Sequence, residues 1–411
     1  MPVGRVAVVG AGTMGSGIAL ACAAAGLGVT LVDSEAAGLD RGQGMVRAAL
    51  ASGVKRGRLA PEAAAEQLAR IAPSLDLNDV AAADVVIEAV WEDMELKKRV
   101  LAAVDAVLPP DRLLATNTST LSITELGRAT AHPGRVAGLH FFSPAHVMRL
   151  LEIVRGEDTA PGALATAARL GEVLGKTTVV ARDSFGFIGN RMMMDGYFRE
   201  AEALLLEGAT PAQVDGALER FGFAMGPHRV SDLGGTDVGT RARRELLRRE
   251  SRPDPYFVVA DRLTELGRLG QKAGAGFYRY EGGGREALPD PAVDEAVRAL
   301  AAERGIARRE VEDTEIVERC LLALVNVGAL VLEEGVAASA GDVDLVWTHG
   351  YGFPRARGGP MRHADGLGLP CVAERIRHYH AVHGHYWRPA ALIERLAAEN
   401  GSFAGRDGAR A

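Results

Sequence analysis

The chain has 411 residues, of which 47% are hydrophobic and 24% charged, a balance that is typical of packed globular domains. Its formal net charge of −6 provides no global attraction to nucleic acid or to an anionic membrane, and no apolar run approaches the roughly 20 residues of a membrane helix. Its three cysteines form no Cys-x-x-Cys pair, which argues against a disulfide framework. We therefore expect a cytoplasmic protein with no nucleic-acid partner and no membrane partner.

A strand, a turn and a helix are predicted at the start of the chain. Residues 5–9 are apolar, residues 10–15 read Gly-Ala-Gly-Thr-Met-Gly, and residues 16–25 are rich in alanine. In such a turn the first glycine permits the tight bend, the second lets the backbone approach a pyrophosphate, and the third lets the helix pack closely on the strand. The pattern predicts a dinucleotide site with contacts at Gly10, Gly12, Thr13, Met14 and Gly15.

The second predicted strand, at residues 28–32, ends in Asp33, about 20 residues past the turn. A carboxylate at this position would bind the adenosine ribose hydroxyls and repel a 2′-phosphate. The sequence therefore favours NAD over NADP as the cofactor. A plain glycine turn with a capping aspartate is the alternative.

The apolar pattern predicts four further strands, at residues 84–89, 113–116, 136–140 and 150–154. Because these strands alternate with helices, we expect an α/β fold with an N-terminal Rossmann-like, doubly wound sheet over residues 1–183. Because the sequence begins almost directly with the dinucleotide strand, we expect no signal peptide and no hydratase domain before it.

The helical part of the sequence, which begins near Phe185, contains a weak internal repeat. Glu-Gly, Val-Asp, Gly-Phe, Gly-Pro and a final aspartate follow in the same order in residues 206–233 and 334–366. We therefore expect a duplicated all-α C-terminal domain, with its copies at residues 184–283 and 284–411.

Two residues on neighbouring strands suggest acid–base chemistry. His140 lies near the carboxyl end of a strand that Pro144 must end, at the edge where open α/β sheets bind ligands. Glu152 interrupts the next apolar strand, where a carboxylate needs a partner. Such a pair suits a general base that takes the proton of an alcohol while hydride leaves its carbon. From the residues alone, a core histidine and a surface glutamate remain an equally good interpretation.

These segments together resemble the L-3-hydroxyacyl-CoA dehydrogenases, in particular the dehydrogenase part of the peroxisomal bifunctional enzymes and the bacterial fatty-acid-oxidation alpha subunits. The resemblance covers nearly the whole chain. Besides the glycine turn and the strands of His140 and Glu152, it includes residues 87–93, 117–121, 183–191, 225–227, 274–278, 352–354 and 358–360.

The resemblance implies that the chain oxidises (S)-3-hydroxyacyl-CoA to 3-oxoacyl-CoA with NAD. His140 would be the base and Glu152 its orienting carboxylate, while Ser119 and Asn190 would hold the substrate oxygens and Lys55 would face the coenzyme A. Ser119 and Asn190 suit a turn and a helix start equally well. Further cofactor contacts are implied at Asp33, Glu92, Lys97, Asn117, Ser143 and Lys272.

Two features depart from the family pattern. Ser143 stands where many relatives have asparagine, and His228 stands where an aromatic residue is usual. We expect the first to change a cofactor or substrate contact and the second a domain contact. Because single-copy relatives dimerise through the helical unit, a chain with two copies is expected to be a monomer or a weak homodimer.

Two other functions stay open. The chain could be a dehydrogenase of a free hydroxy acid or sugar acid. The best-known of those enzymes use a lysine in the long interdomain helix, whereas this chain has arginine and no lysine after Asn190. It could also bind NAD without catalysis, as crystallin-like members of the superfamily do. The histidines between His378 and His385 invite a metal interpretation but lack a carboxylate at a suitable spacing, so we expect no metal.

Overall fold

The structure is a computed structural model that describes residues 3–249 and 258–408. The chain divides into two units. The first unit comprises the described residues of Met1–Phe187 together with Val336–Ala338, and the second comprises those of Ile188–Gly335 and Ser339–Ala411. A short segment of the helical half, Val336–Ala338, thus belongs to the first unit.

The first unit is built on one sheet of eight strands. The strands are β1 Arg5–Val9, β2 Gly28–Val32, β3 Ile71–Ser74, β4 Val85–Glu88, β5 Leu113–Thr116, β6 Val136–Phe141, β7 Leu150–Arg155 and β8 Thr177–Arg182. Their order is β3-β2-β1-β4-β5-β6-β7-β8, and β6 and β7 are the one antiparallel pair of neighbours. This arrangement confirms the Rossmann-like, doubly wound sheet, whose strand order reverses between β1 and β4.

Helices connect the strands of this sheet. They are α1 Thr13–Ala24, α2 Ala36–Lys55, α3 Pro61–Ala69, α4 Met94–Val107, α5 Ile123–Arg128 and α6 Pro161–Val173. Strands β4, β5 and β6 are buried at every position, which explains their continuous apolar sequences in a sheet covered on both faces. Strands β3 and β8 lie at the two ends of the sheet order and were not predicted.

The second unit is helical. Its helices are α7 Gly189–Met192, α8 Arg199–Glu207, α9 Pro211–Phe221, α10 Pro227–Gly234, α11 Thr236–Arg249, α12 Val258–Glu265, α13 Pro291–Glu303, α14 Asp313–Glu333, α15 Ala340–Gly350, α16 Pro360–Leu367, α17 Leu369–His383, α18 Ala391–Ala398 and α19 Phe403–Gly408. A π-helical turn, Met193–Phe198, joins α7 to α8. Within residues 3–249 and 258–408, no helix combines the length and the apolar character that crossing a bilayer requires.

The duplication of the helical unit is confirmed by a capping contact that both copies share. Asp215 on α9 accepts two backbone N–H groups from the first turn of α10, at 2.9 and 3.0 Å. Asp344 on α15 accepts the corresponding pair from α16, at 2.7 and 3.1 Å. The glycine before each capped helix is required, since a Cβ on Gly226 or Gly359 would lie 2.3 Å from an atom of the capping aspartate.

A second shared contact extends the repeat beyond the segments found in the sequence. Asp232 on α10 accepts the backbone N–H groups of residues 277 and 278, at 2.8 and 2.9 Å. Asp365 on α16 accepts those of residues 403 and 404, at 2.8 and 3.1 Å. Each copy therefore uses one aspartate to start a helix and another to fix a segment further along the chain.

Candidate active site

The candidate site lies where the carboxyl ends of parallel strands meet at one edge of the sheet. The glycine turn follows β1, Asp33 follows β2, and the loops after β4, β5 and β6 leave the same edge. Because the strand order reverses between β1 and β4, the crevice at this edge is the place where doubly wound sheets bind ligands.

The glycines of the turn differ in what requires them. Gly10 has a φ of 104°, and a Cβ on it would lie 2.7 Å from the carbonyl oxygen of Ala89. A Cβ on Gly15 would lie 1.8 Å from the carbonyl oxygen of Gly10. In contrast, Gly12 has an ordinary φ of −71°, and its Cβ would meet no atom within 4 Å. The fold requires Gly10 and Gly15, whereas the close approach of a ligand would require Gly12.

Helix α1 begins at this turn with Thr13 and Met14. No side chain caps its N-terminus, and no acidic residue lies in its first turn. The backbone N–H groups and the positive end of the helix dipole are thus suited to an anionic ligand. Together with the open space at Gly12, this fits the pyrophosphate of a dinucleotide.

Asp33 contacts the glycine turn directly. Its carboxylate accepts the backbone N–H of Ala11 at 2.8 Å and that of Glu35 at 3.2 Å. Helix α2 approaches so closely that a Cβ on Gly38 would lie 2.7 Å from this carboxylate. Asp33 therefore lies beside the turn, where a carboxylate can bind ribose hydroxyls.

His140 and Glu152 face each other on neighbouring strands. They are direct partners in the antiparallel register of β6 and β7, and the distance between His140 Nδ1 and Glu152 Oε2 is 2.8 Å. Both residues are buried, at 6% and 0% exposure. Since a carboxylate can only accept, Nδ1 donates the hydrogen and Nε2 is left with the lone pair. The pair has the geometry of an oriented general base.

Two aromatic rings hold the imidazole of His140. The ring centroid of Phe142 lies 4.5 Å from that of His140, and the ring centroid of Phe187 lies 5.7 Å away. Neither ring was predicted as part of the site. Phe142 lies two residues after His140, but nothing in the local pattern indicates that Phe187 returns to the same place.

Glu92, which follows β4, binds the segment after β5. One of its oxygens accepts the hydroxyl of Thr118 at 2.6 Å and the backbone N–H and hydroxyl of Ser119 at 2.9 and 3.2 Å. Removal from water would raise the pKa of Glu92, but the ammonium of Lys97 and these donors outweigh that effect and hold the pKa below its usual value. Glu92 is therefore an anion that orients Ser119.

Lys97 lies inside the protein rather than on the ligand side of Glu92. Its side chain is 1% exposed, and its ammonium lies 2.8 Å from Glu88, 3.3 Å from the carbonyl oxygen of Val90 and 3.4 Å from Glu92. Glu92, in contrast, is 36% exposed. The predicted contact of Lys97 with the cofactor remains a prediction, and its contact with two carboxylates is the observed one.

Asn117 and Ser143 occupy the loops after β5 and β6. The side-chain oxygen of Asn117 accepts the backbone N–H of Phe141 at 2.9 Å, which ties the two strand ends together. Ser143 is exposed and precedes a cis proline. Lys176, which was not predicted to belong to the site, donates from its ammonium to two carbonyl oxygens of the loop after β6, both at 2.6 Å.

Three other predicted site residues belong to other segments of the chain than the loops described above. Lys55 is exposed at the last position of α2. Asn190 and Lys272 belong to the helical unit, where Asn190 accepts the hydroxyl of Tyr351 at 2.8 Å and Lys272 pairs with Asp237. Their contacts with substrate and cofactor remain predictions.

The histidines of α17 do not form a metal site in the described structure. Across residues 3–249 and 258–408, no three His, Cys, Asp or Glu side chains come together in an arrangement that could hold a metal ion. His380 Nδ1 instead lies 2.9 Å from the carbonyl oxygen of Gly384, at the C-terminal end of the helix.

A Rossmann-like sheet with an anion-accepting glycine turn, an aspartate beside it and a histidine–carboxylate pair at the same edge defines the class of nicotinamide-dependent dehydrogenases. Residues 5–184 match the family described as 3-hydroxyacyl-CoA dehydrogenase, NAD binding domain. Residues 186–280 and 316–409 match its C-terminal domain. The chain belongs to the 3-hydroxyacyl-CoA dehydrogenase family, and its cofactor is NAD.

Known relatives agree with this assignment. The chain is 43% identical over 408 residues to a peroxisomal bifunctional enzyme of Danio rerio, covering 95% of this chain and 56% of that protein. It is 37% identical over 401 residues to a fatty acid oxidation complex subunit alpha of Psychrobacter arcticus, covering 96% and 55%. The chain thus spans little more than half the length of these relatives.

A solved structure of similar length also matches. The 3-hydroxybutyryl-CoA dehydrogenase of Escherichia coli superposes with a TM-score of 0.84 at 29% identity, covering 97% of this chain and 99% of that one. The dehydrogenase part of multifunctional enzyme 1 from C. elegans gives a TM-score of 0.69 at 29% identity, covering 96% and 90%.

Proposed function

We propose that the chain oxidises the 3-hydroxyl group of (S)-3-hydroxyacyl-CoA to a 3-oxo group with NAD and also catalyses the reverse reduction. The observation that carries the proposal is the His140–Glu152 pair at the ligand-binding edge of the sheet. The names of the relatives support the acyl-CoA substrate and a place in fatty acid β-oxidation. When bound, NAD supplies the hydride acceptor.

His140 provides the acid–base chemistry. Its Nε2 takes the proton of the 3-hydroxyl during oxidation and returns it during reduction. Glu152 accepts the hydrogen of Nδ1 at 2.8 Å, so it selects the tautomer with the lone pair on Nε2 and stabilises the imidazolium that forms. The rings of Phe142 and Phe187 lie against the imidazole and limit its rotation.

Other residues position the substrate in this proposal. Ser119 and Asn190 hold the substrate oxygens, and Lys55 meets a phosphate of coenzyme A. The contact of Ser119 with Glu92 supports its role, because it fixes the hydroxyl at the ligand-binding edge. The exposure of Lys55 at the end of α2 leaves its ammonium accessible to an anion.

The remaining cofactor contacts follow from the same placement. The glycine turn binds the pyrophosphate and Asp33 binds the adenosine ribose. Glu92, Asn117, Ser143 and Lys272 are proposed to contact the nicotinamide half of NAD. Lys97, which is buried, is proposed to act on the cofactor through its contact with Glu92.

The proposed setting is a monomer or weak homodimer in a reducing cytoplasm. All three cysteines are free, and Cys22 and Cys320 are buried thiols. The two copies of the helical unit in one chain support a low oligomeric state. Light scattering tests it, and a large obligate oligomer would contradict it.

The function is tested by following NADH consumption with acetoacetyl-CoA, with longer 3-oxoacyl-CoAs and with free acetoacetate. We expect turnover of the thioesters alone, and a loss of about 10²–10⁴-fold in kcat for His140→Ala. His132→Ala, which changes a half-exposed histidine elsewhere in the same unit, is the control. Inert wild-type protein, or an unimpaired His140→Ala variant, would contradict the proposal.

A further inference from the structure

A fully buried carboxylate lies behind the cofactor-facing residues. Glu88 is the last residue of β4, between β1 and β5, and is 0% exposed. One of its oxygens accepts the N–H of Val90 at 2.7 Å and the ammonium of Lys97 at 2.8 Å. The other accepts Lys97 at 3.1 Å and the hydroxyl of Thr116 at 2.6 Å. Both oxygens are thus fully engaged at the point where the strand order reverses.

This carboxylate shares one cation with Glu92. The ammonium of Lys97 lies 2.8 Å from Glu88 but 3.4 Å from Glu92, so Glu88 has the closer contact. Of these three charged groups, Glu92 alone reaches solvent to a substantial degree. A ligand in the crevice therefore meets Glu92, while Glu88 and Lys97 act from inside.

Stability is a poor explanation for such a pair. Moving two charges out of water costs about as much as their attraction returns, so well-packed apolar residues usually serve a sheet interior equally well. Apolar residues could not replace the contact between the ammonium of Lys97 and Glu92. Glu92 in turn fixes Thr118 and Ser119 through their hydrogen bonds to it.

We propose that Glu88 is a positioning residue for cofactor binding: it anchors Lys97, and thereby keeps Glu92 at the distance at which it can orient Ser119 and meet the cofactor. Without the charge of Glu88, Lys97 would pair with Glu92 alone. The 3.4 Å contact would then contract, and Glu92 would move away from its donors on the segment after β5. The inference rests on the proposed function in that Glu92 is taken to face the nicotinamide half of NAD.

The test is a double-mutant cycle on NADH affinity, measured from the fluorescence of NADH on binding. Glu88→Gln keeps the size of the side chain and removes its charge, and we expect NADH to bind about tenfold more weakly. In the Glu92→Gln background the same change should have less than a twofold effect, because the residue through which it acts is already lost. A structural role would give equal losses in both backgrounds.

Asp105→Asn is the matched control. Asp105 is also a buried carboxylate of the first unit, on the same helix as Lys97, and pairs with Arg135 at 2.5 Å. We expect both Asp105→Asn and Glu88→Gln to lower the melting temperature, because each leaves a buried cation without its counter-charge, but we expect Asp105→Asn to leave NADH affinity unchanged. If Glu88→Gln fails to fold, Glu88→Asp shortens the side chain and draws its carboxylate back from the ammonium of Lys97, and it should weaken NADH binding about threefold.

Three results would overturn the proposal: NADH affinity within twofold of wild type in the folded Glu88→Gln variant, equal losses in both backgrounds, or, if Glu88→Asp is needed, no change in that variant. Because the readout is cofactor binding, it is independent of the substrate. A protein whose NADH affinity depends on Glu88 as proposed, but which is inert on 3-oxoacyl-CoAs, would disprove the proposed function alone.

Discussion

A Cβ atom on Gly15 would lie 1.8 Å from the carbonyl oxygen of Gly10, so the strand and the helix of the turn can pack this closely only because Gly15 has no side chain. Gly12, between them in sequence, has open space around its Cβ position. The same turn therefore contains glycines required by the fold and a glycine that only a ligand would require. This difference allows the cofactor site to be tested separately from stability.

We expect Gly12→Ala to fold as the wild type does and to bind NADH at least tenfold more weakly, because its methyl group would occupy the path of the pyrophosphate. Gly15→Ala should lose thermal stability instead, since its methyl group overlaps backbone. Gly44→Ala is the control, because Gly44 is exposed on α2 and its Cβ also meets no atom within 4 Å. Normal NADH binding by folded Gly12→Ala protein would exclude the turn as the pyrophosphate site.

The charge of Glu152 is expected to matter more than its hydrogen bond. Glu152→Gln can still accept from His140 Nδ1 through its amide oxygen, but it no longer stabilises the imidazolium. We expect kcat with acetoacetyl-CoA to fall about 10²–10⁴-fold while NADH affinity stays within a few-fold of wild type. The matched control is Glu157→Gln, because the side chain of Glu157 is 71% exposed just after the same strand. Equal kcat values for the two variants would exclude Glu152 from the acid–base chemistry.

Local patterns in the sequence were sufficient to predict which residues lie at the ends of strands. Asp33 follows a short apolar run and His140 precedes a proline that ends its strand, so the edge of the sheet could be located from each segment by itself. The apolar run around Glu152 indicates that its carboxylate needs a partner. The structure shows the partner directly opposite, in the antiparallel register of β6 and β7.

Other features depend on contacts that no local pattern contains. Strand β3 includes Pro73 and lies at the edge of the sheet, so its sequence gives no strand signal. Glu88 and Lys97 are nine residues apart in segments of different type, and their contact depends on how α4 packs on the sheet. The segment fixed by Asp365 lies 38 residues further along the chain, which concealed that part of the repeat.

The capping aspartate of the second helical copy should make stability depend on pH. Burial, with Asp365 and Asp407 nearby, raises the pKa of Asp344 to about 7 despite two backbone N–H groups that lower it. Between about pH 4 and pH 7 the folded state thus binds more protons than the unfolded state, so this group's contribution to stability falls as the pH rises. The free energy of unfolding should decline less steeply over this range in Asp344→Asn than in the wild type. Parallel curves from urea unfolding at pH 5, 6, 7 and 8 would contradict this.

The loop after β6 is expected to depend on Lys176. This ammonium donates to the carbonyl oxygens of Ala145 and Met148. Both residues lie in the same loop as Ser143, between β6 and β7. Burial lowers the pKa of Lys176, and the nearby Cys22 opposes this effect. Lys176→Met retains much of the aliphatic stem but leaves both carbonyl oxygens without this donor, so the loop should lose its fixed conformation.

We expect the KM for NADH to rise several-fold in Lys176→Met, with a smaller change in kcat, because the loop positions ligand rather than transferring the proton. Lys98→Met provides the comparison, since Lys98 pairs with two carboxylates of the same unit but holds no loop carbonyl among its observed partners. Steady-state kinetics at saturating acetoacetyl-CoA measure both constants. An unchanged KM for NADH in Lys176→Met, with a lowered melting temperature, would show that Lys176 stabilises the fold and does not position the loop after β6 for cofactor binding.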